Sequence, residues 1–287
     1  MSGHKTKALD GPFLLAFGTG STWRKENQGA LNNNLIEIVK DALQSGYRHL
    51  DTAELYNTEN EVGEAIKRSG ISPSDLYIIA KAFTTSNIRA AFDRTLRNLG
   101  VDYVDLYVLH HPYFAKSEEQ LQAAWVEIED IFDSGKVGSI GVSNFTKAHV
   151  ETILKTARIK PAANQIELNP YLQRVELQQY HKDHGIQTFA FSPLSPIVRA
   201  KPGPLDDVLE TIAQKHGVST AVVLIRWALQ QGIAVVTTST QNERMKDHLL
   251  AQKVSLTEEE IALISEVGSE KHFRGRWNDI FAAEDRS

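Results

Sequence analysis

Short, nearly continuous apolar runs alternate along the chain with longer stretches whose apolar residues recur at helical spacing. The runs are FLLAF (13–17), YRHLD (47–51), LYIIAK (76–81), VDLYVLH (104–110), GSIGVS (138–143), AANQIEL (162–168), IQTFAF (186–191) and IAVVTT (233–238). Each has the character of a strand buried on both faces. Between them, NNNLIEIVKDALQSG (32–46) sets Leu35, Ile38, Val39, Ala42 and Leu43 on one helical face, with asparagines ahead and Gly46 behind as caps. Segments such as TENEVGEAIKRSG, SNIRAAFDRTLRNLG, EEQLQAAWVEIEDIFDSG and TAVVLIRWALQQG repeat the pattern, several of them ending at glycine.

Strand-then-helix units in series imply parallel strands joined by right-handed crossovers. An open doubly wound sheet competes with a closed (β/α)8 TIM barrel. The open sheet usually carries G-x-G-x-x-G after its first strand. Here FGTGST has Gly18 and Gly20, no third glycine, and no helix directly behind it. Eight equivalent units over 287 residues, close to the roughly 250 of a typical barrel, favour the closed form. With no linker or low-complexity stretch, residues 1–287 are expected to form one domain. The tail from Gly268 leaves the alternation and mixes Phe273, Trp277 and Phe281 with Arg274 and Arg276.

The formal charge of −5, without any run of Lys or Arg, argues against nucleic acid, which needs a concentrated basic face. No apolar stretch approaches the roughly 18 residues of a membrane span. The first twenty residues lack a secretory pattern, so a cytoplasmic protein is expected. Absent cysteines remove disulfides, a thiolate nucleophile and zinc–thiolate chemistry, and no metal site is expected.

In a (β/α)8 barrel the chemistry sits at the C-terminal ends of the strands. Strand 2 ends at Asp51, with Tyr56 in the loop that follows; strand 3 ends at Lys81 and strand 4 at His110. Singly, each has an ordinary reading: a helix cap, a packing phenol, a snorkelling lysine, a histidine at a turn. Together on one rim they make chemical sense. A tyrosine is a poor proton donor at neutral pH unless its anion is stabilised. A lysine ammonium stabilises it, and an aspartate keeps the lysine charged and oriented. A neutral histidine can hydrogen-bond a carbonyl oxygen. Such a set protonates an oxygen while something else delivers hydride to carbon, which implies a nicotinamide cofactor.

GYRHLDTAELYNTENEVG (46–63) and SGKVGSIGVSNF (134–145) resemble the two signatures of the aldo-keto reductase family, and the resemblance extends over the full length. It implies a tetrad of Asp51, Tyr56, Lys81 and His110, with Tyr56 as general acid, and NADPH bound in extended form. Ser143, Asn144 and Gln165 would hold the carboxamide, and Phe191, where a tyrosine is common, would stack on the ring. Ser192, Leu194 and Ser195 would approach the pyrophosphate. Gly20, Thr22 and Asp51 are likewise placed at the cofactor. At the adenosine end Thr238 replaces a lysine that often binds the 2′-phosphate, which leaves NADH open as a second cofactor. Arg244, on the first turn of a short helix, with Ser239, Thr240, Asp247 and His248, would complete that end.

The same resemblance assigns the substrate pocket to Trp23, Tyr56, Phe83, His110, His111, Phe273 and Trp277. The tail 268–287 would act as a lid, and short loops after strands 4 and 7 would leave one side open. The likeness is greatest to the fungal branch that reduces α-keto amides, conjugated polyketones and β-keto esters. A (β/α)8 lyase using Lys81 as a Schiff base is a rival, but it requires a neutral lysine beside Asp51. A cofactor-holding regulatory subunit with slow turnover is another. A monomer acting on a small-molecule carbonyl is the expectation.

Overall fold

The computed structural model describes residues 7–83 and 85–287. Eight strands close in chain order into a barrel. They are β1 (Leu15–Gly18), β2 (His49–Asp51), β3 (Tyr77–Ala82), β4 (Val104–Leu109), β5 (Val137–Ser143), β6 (Ala163–Glu167), β7 (Gln187–Phe191) and β8 (Ala234–Thr237). Each overlaps one of the apolar runs, though β1 starts two residues into FLLAF, because Phe13 and Leu14 belong to the 3-10 turn Gly11–Leu14. Neighbouring strands pair in parallel: Gly18 lies opposite Asp51, Asp51 opposite Ile79, and Lys81 opposite Val108.

The helices among the described residues are α1 (Asn33–Ser45), α2 (Glu59–Ser69), α3 (Ile88–Leu99), α4 (Glu118–Asp133), α5 (Lys147–Leu154) and α6 (Val175–His184). They continue with α7 (Ser195–Val198), α8 (Leu205–His216), α9 (Thr220–Gln230), α10 (Asn242–Leu249) and α11 (Glu258–Ser269). The caps act as the sequence suggests. The Asn32 side chain accepts from Leu35 N–H at the start of α1, and Gly46 ends that helix at φ 118°. The helix α11 falls outside the strand–helix alternation and was not expected. It starts in a capping box, Thr257 with Glu260, that the stretch TEEE encodes. The loop after β7 is also less simple than expected, because it contains the short α7.

By compactness the chain divides into two units, one ending at Asn164 and one running Gln165–Ser287. The boundary falls within β6: the first unit contains β1–β5 and the start of β6, the second the rest of β6 with β7 and β8. Within the first unit, Asp105 near the start of β4 ties the chain ahead of β1 to β3. Lys7 Nζ lies 2.9 Å from Asp105 Oδ1, while Asp105 Oδ2 accepts from Ile78 N–H at 2.8 Å. Among the described residues no helix is long and apolar enough to cross a membrane.

Candidate active site

The C-terminal ends of β2, β3 and β4 bring the four predicted residues together inside the first unit. Lys81 is fully buried, and its Nζ lies 2.5 Å from Asp51 Oδ1 and 3.2 Å from the Thr52 carbonyl oxygen. Burial alone would lower the lysine pKa. The Asp51 carboxylate and a hydrogen bond with Tyr56 outweigh burial and leave it raised, so Lys81 is an ammonium. Its Nζ is 5.2 Å from the centre of the Tyr56 ring.

Tyr56 closes a one-turn 3-10 segment, Glu54–Tyr56, terminated by Asn57 in a left-handed backbone at φ 56°. That turn is stitched to the loop after β1. Lys25 N–H donates to the Tyr56 carbonyl at 2.9 Å, and Asn57 Nδ2 donates to the Lys25 carbonyl at 3.0 Å. Below it, Thr58 Oγ1 and Thr19 Oγ1 are 3.1 Å apart, and Thr19 N–H donates to the Asp51 carbonyl at 2.9 Å. The phenol ring lies flush on Gly20, where a Cβ would come within 2.8 Å of ring carbon Cζ. Gly20, predicted at the cofactor, therefore also makes room for Tyr56.

His110 meets the Tyr56 ring edge-on at 5.5 Å between centroids. Its backbone is fixed at both ends: His110 N–H donates to Ala82 O at 3.0 Å, and its own carbonyl accepts from Asn144 Nδ2 at 2.9 Å. Burial, then the Lys81 ammonium, holds its pKa well below the ordinary value, so the ring is neutral. Its Nδ1 has no hydrogen-bond partner among the described residues. The site thus offers a phenol backed by an ammonium, beside a neutral imidazole.

Ser143 ends β5, and Asn144 follows in a left-handed conformation at φ 60°. Asn144 Nδ2 reaches Ser143 Oγ at 3.0 Å, and the Asn144 carbonyl accepts from Tyr113 Oη at 2.9 Å. Tyr113, which sequence reasoning passed over in HHPYF, holds this turn, and its ring stacks on His111 at an interplanar angle of 14°. Of the expected pocket residues in this unit, Trp23 is buried and Phe83 is exposed. The Phe83 ring meets His111 edge-on at 5.3 Å and His110 at 6.2 Å. Thr22 is exposed on the 3-10 turn Ser21–Trp23.

In the second unit, Gln165 is buried on β6 and Phe191 is half-buried at the end of β7. Ser192 has φ 57°, and its carbonyl accepts from Ser195 Oγ at 3.0 Å, so the Ser195 hydroxyl is engaged at the head of α7 behind Leu194. Thr238 is half-buried and Thr240 exposed. The Ser239 hydroxyl accepts from Gln241 N–H at 3.0 Å, and Arg244 and His248 lie four residues apart on one face of α10. Arg244 is exposed, while His248 is buried with an Nδ1 that has no hydrogen-bond partner among the described residues. Asp247, expected at the adenine, accepts through one oxygen from Ser219 Oγ at 2.5 Å, where Ser219 caps α9. Phe273 and Trp277 are half-buried.

An open depression of about 730 Å³ lies between the C-terminal ends of α2 and α3, lined by Asn60, Glu64, Lys67 and Ser72 among others. Helices in this architecture run antiparallel to their strands, so their C-terminal ends face away from the tetrad. No group of His, Cys, Asp and Glu among the described residues could hold a metal ion.

A (β/α)8 barrel with a buried lysine–carboxylate pair behind a phenol, next to a neutral histidine, defines a scaffold for carbonyl oxidoreduction. The chain belongs to the aldo/keto reductase family, whose model matches residues 14–269. It is 35% identical over 263 residues to an NAD/NADP-dependent indole-3-acetaldehyde reductase of Schizosaccharomyces pombe, covering 90% of this chain and 93% of that one. It is 34% identical over 287 residues to the NADPH-dependent alpha-keto amide reductase of Saccharomyces cerevisiae, covering 94% and 92%. The crystal structure of an aldo/keto reductase from Brucella melitensis superposes with a TM-score of 0.79 at 34% identity, covering 88% of this chain and 94% of that one. Family membership makes the chain a nicotinamide-dependent oxidoreductase.

Proposed function

We propose that the protein reduces aldehydes and activated ketones (α-dicarbonyls, α-keto amides and β-keto esters) to alcohols, with NADPH preferred over NADH. The observation that carries this reading is the buried Asp51–Lys81 pair at 2.5 Å backing Tyr56. When bound, the reduced nicotinamide supplies the hydride. Tyr56 gives its phenolic proton to the carbonyl oxygen, and the Lys81 ammonium stabilises the phenolate left behind. Asp51 keeps that ammonium charged and pointed at the ring. His110, being neutral, donates one hydrogen bond to the same oxygen and orients the carbonyl. A Schiff base on Lys81 would need the free amine, which the raised pKa opposes.

Ser143, Asn144 and Gln165 are the residues for the carboxamide, Phe191 for the ring face, and Ser192, Leu194 and Ser195 for the pyrophosphate. Arg244 and His248, with Thr238, Ser239 and Thr240, take the adenosine phosphate. The preference for NADPH rests on Arg244, because Thr238 supplies no second cation. An activated ketone is favoured because an adjacent electron-withdrawing carbonyl eases hydride addition. The alpha-keto amide reductase of yeast acts on a substrate of that class, as its name states.

The test is the loss of reduced-nicotinamide absorbance with an α-keto amide, a cyclic diketone, a β-keto ester and a simple aldehyde, each with NADPH and with NADH. Faster turnover of the dicarbonyls with NADPH is expected. Tight NADPH binding without turnover of any of them would replace the reductase by a cofactor-holding subunit.

A further inference from the structure

Glu54 opens the 3-10 turn that ends at Tyr56, and its carboxylate is mostly buried. The strand before it, β2, ends at Asp51, opposite Ile79. Further along, beyond the end of β3, the N–H of Phe83 therefore has no β2 backbone beside it. The side chain of Glu54 takes that place, and its Oε2 accepts from Phe83 N–H at 3.0 Å. Its Oε1 accepts from the Arg94 guanidinium on α3. Both oxygens are thus engaged by donors, and one of the donors is main chain.

The group that Glu54 grips is one end of the Ala82–Phe83 peptide. In a trans peptide the C=O and N–H point in opposite directions from one rigid plane. The other end of this plane, Ala82 O, accepts from His110 N–H at 3.0 Å. A single peptide therefore spans from the turn that carries Tyr56 to the backbone that carries His110. A carboxylate accepting at one end polarises the peptide and strengthens the bond at the other. The two rings so linked lie 5.5 Å apart between centroids. Stability alone does not explain the carboxylate. The Arg94 side chain is 42% exposed, and an exposed ion pair contributes little. Every member of this chain of contacts lies in the first unit.

We propose that Glu54 is a positioning residue: through the Ala82–Phe83 peptide it fixes the Tyr56 turn against the backbone of His110, so that phenol and imidazole meet one carbonyl oxygen together. Arg94 steadies the carboxylate from the helix side. This rests on the carbonyl reductase reading, in which those two groups share that oxygen. Loosening Glu54 then slows the chemical step itself and does not reduce the number of working molecules.

The experiment compares wild type, Glu54→Gln and Arg94→Gln in the full-length protein. Both partners of Glu54 are donors, whereas a glutamine side chain presents one acceptor oxygen and one donor amide, so Glu54→Gln satisfies at most one of them. Arg94→Gln loosens the carboxylate from an exposed site and leaves the turn untouched, so it stands in if Glu54→Gln does not fold. Protein carrying NADPH is mixed with a saturating small aldehyde, and the rate constant and amplitude of the first turnover are read. Amide exchange at Phe83 and His110 is followed alongside. Glu54→Gln should slow the first turnover by about tenfold, less than the roughly hundredfold of a displacement of about 1 Å. Arg94→Gln should slow it by about two- to threefold. In both the amplitude should match wild type, and exchange at Phe83 and His110 should quicken. A lower amplitude with an unchanged rate constant would mean a merely structural role and overturns the proposal. Unchanged rate constants and amplitudes in both variants overturn it as well. Slower turnover with unchanged exchange overturns the route through the peptide. A wild-type protein inactive on every carbonyl removes the reductase reading and the positioning role with it, while the exchange rates still decide whether Glu54 holds that peptide.

Discussion

Tyr56 rests directly on Gly20: a Cβ at that position would sit 2.8 Å from Cζ and 3.0 Å from Cε2 of the phenol ring. Gly20 has φ −82°, an ordinary value for any residue, so the glycine is required by space and not by backbone conformation. Gly20→Ala should therefore push the phenol off its line between Lys81 and His110 with little cost to folding. Misplacing a reacting group by about 1 Å costs on the order of a hundredfold in rate, and a fall of that order in single-turnover hydride transfer is expected. An unchanged single-turnover rate would mean that the ring has room to slide without consequence.

Tyr56→Phe keeps the ring against Gly20 and His110 and removes only the proton. General acid catalysis is worth about a hundred- to ten-thousandfold, and kcat should fall within that range or below it. NADPH affinity, read by quenching of protein fluorescence, should stay within a few-fold. Wild-type turnover in this variant would take the proton-donor role away from Tyr56.

Much of this site is legible in the sequence because it obeys a local rule. Asp51, Lys81 and His110 each end an apolar run, and the ends of parallel barrel strands share a rim, so three strand boundaries bring three side chains together. What stayed hidden depends on partners distant in sequence. Tyr113 meets the Asn144 carbonyl across 31 residues and Glu167 meets Arg276 across 109, and no periodicity reports such a meeting. The helix α11 is a different case: its Thr257–Glu260 capping box is written locally, but it lies beyond the last strand–helix unit, where the alternation stops being a guide.

Arg244 is exposed on the first turn of α10, and the lysine that often accompanies it in the family is Thr238 here. Discrimination for the 2′-phosphate thus falls on one guanidinium. A hydrogen bond to a charged group contributes about 1.5–3 kcal/mol, so Arg244→Ala should weaken NADPH binding by about ten- to a hundredfold. NADH, which lacks the phosphate, should lose only a few-fold. Titrating both reduced cofactors into the variant separates the cases, and equal losses for both would remove Arg244 from phosphate recognition.

His49 and His181 are buried, and burial is the largest cause that takes each from an ordinary value of 6.5 to about 4. His49 Nδ1 lies 2.5 Å from Phe13 O, a bond that favours the charged ring but is outweighed by burial, and His181 Nδ1 lies 2.8 Å from Thr188 Oγ1. Between pH 6.5 and about 4 the unfolded chain binds protons that the folded chain refuses, so stability rises with pH across that window. The stability these rings confer is complete above pH 6.5 and is lost as pH falls toward 4, at most about 3 kcal/mol for each. Glu59 and Glu167, whose pKa values burial raises, act in the opposite direction at the acid end. The histidine contribution is therefore best isolated as a difference. His181→Asn keeps a polar atom facing Thr188 and cannot titrate, so the gap between its urea-unfolding free energy and that of wild type should narrow by about 3 kcal/mol from pH 7 to pH 4. A gap that stays constant over that range would show that His181 protonates in the folded protein without penalty.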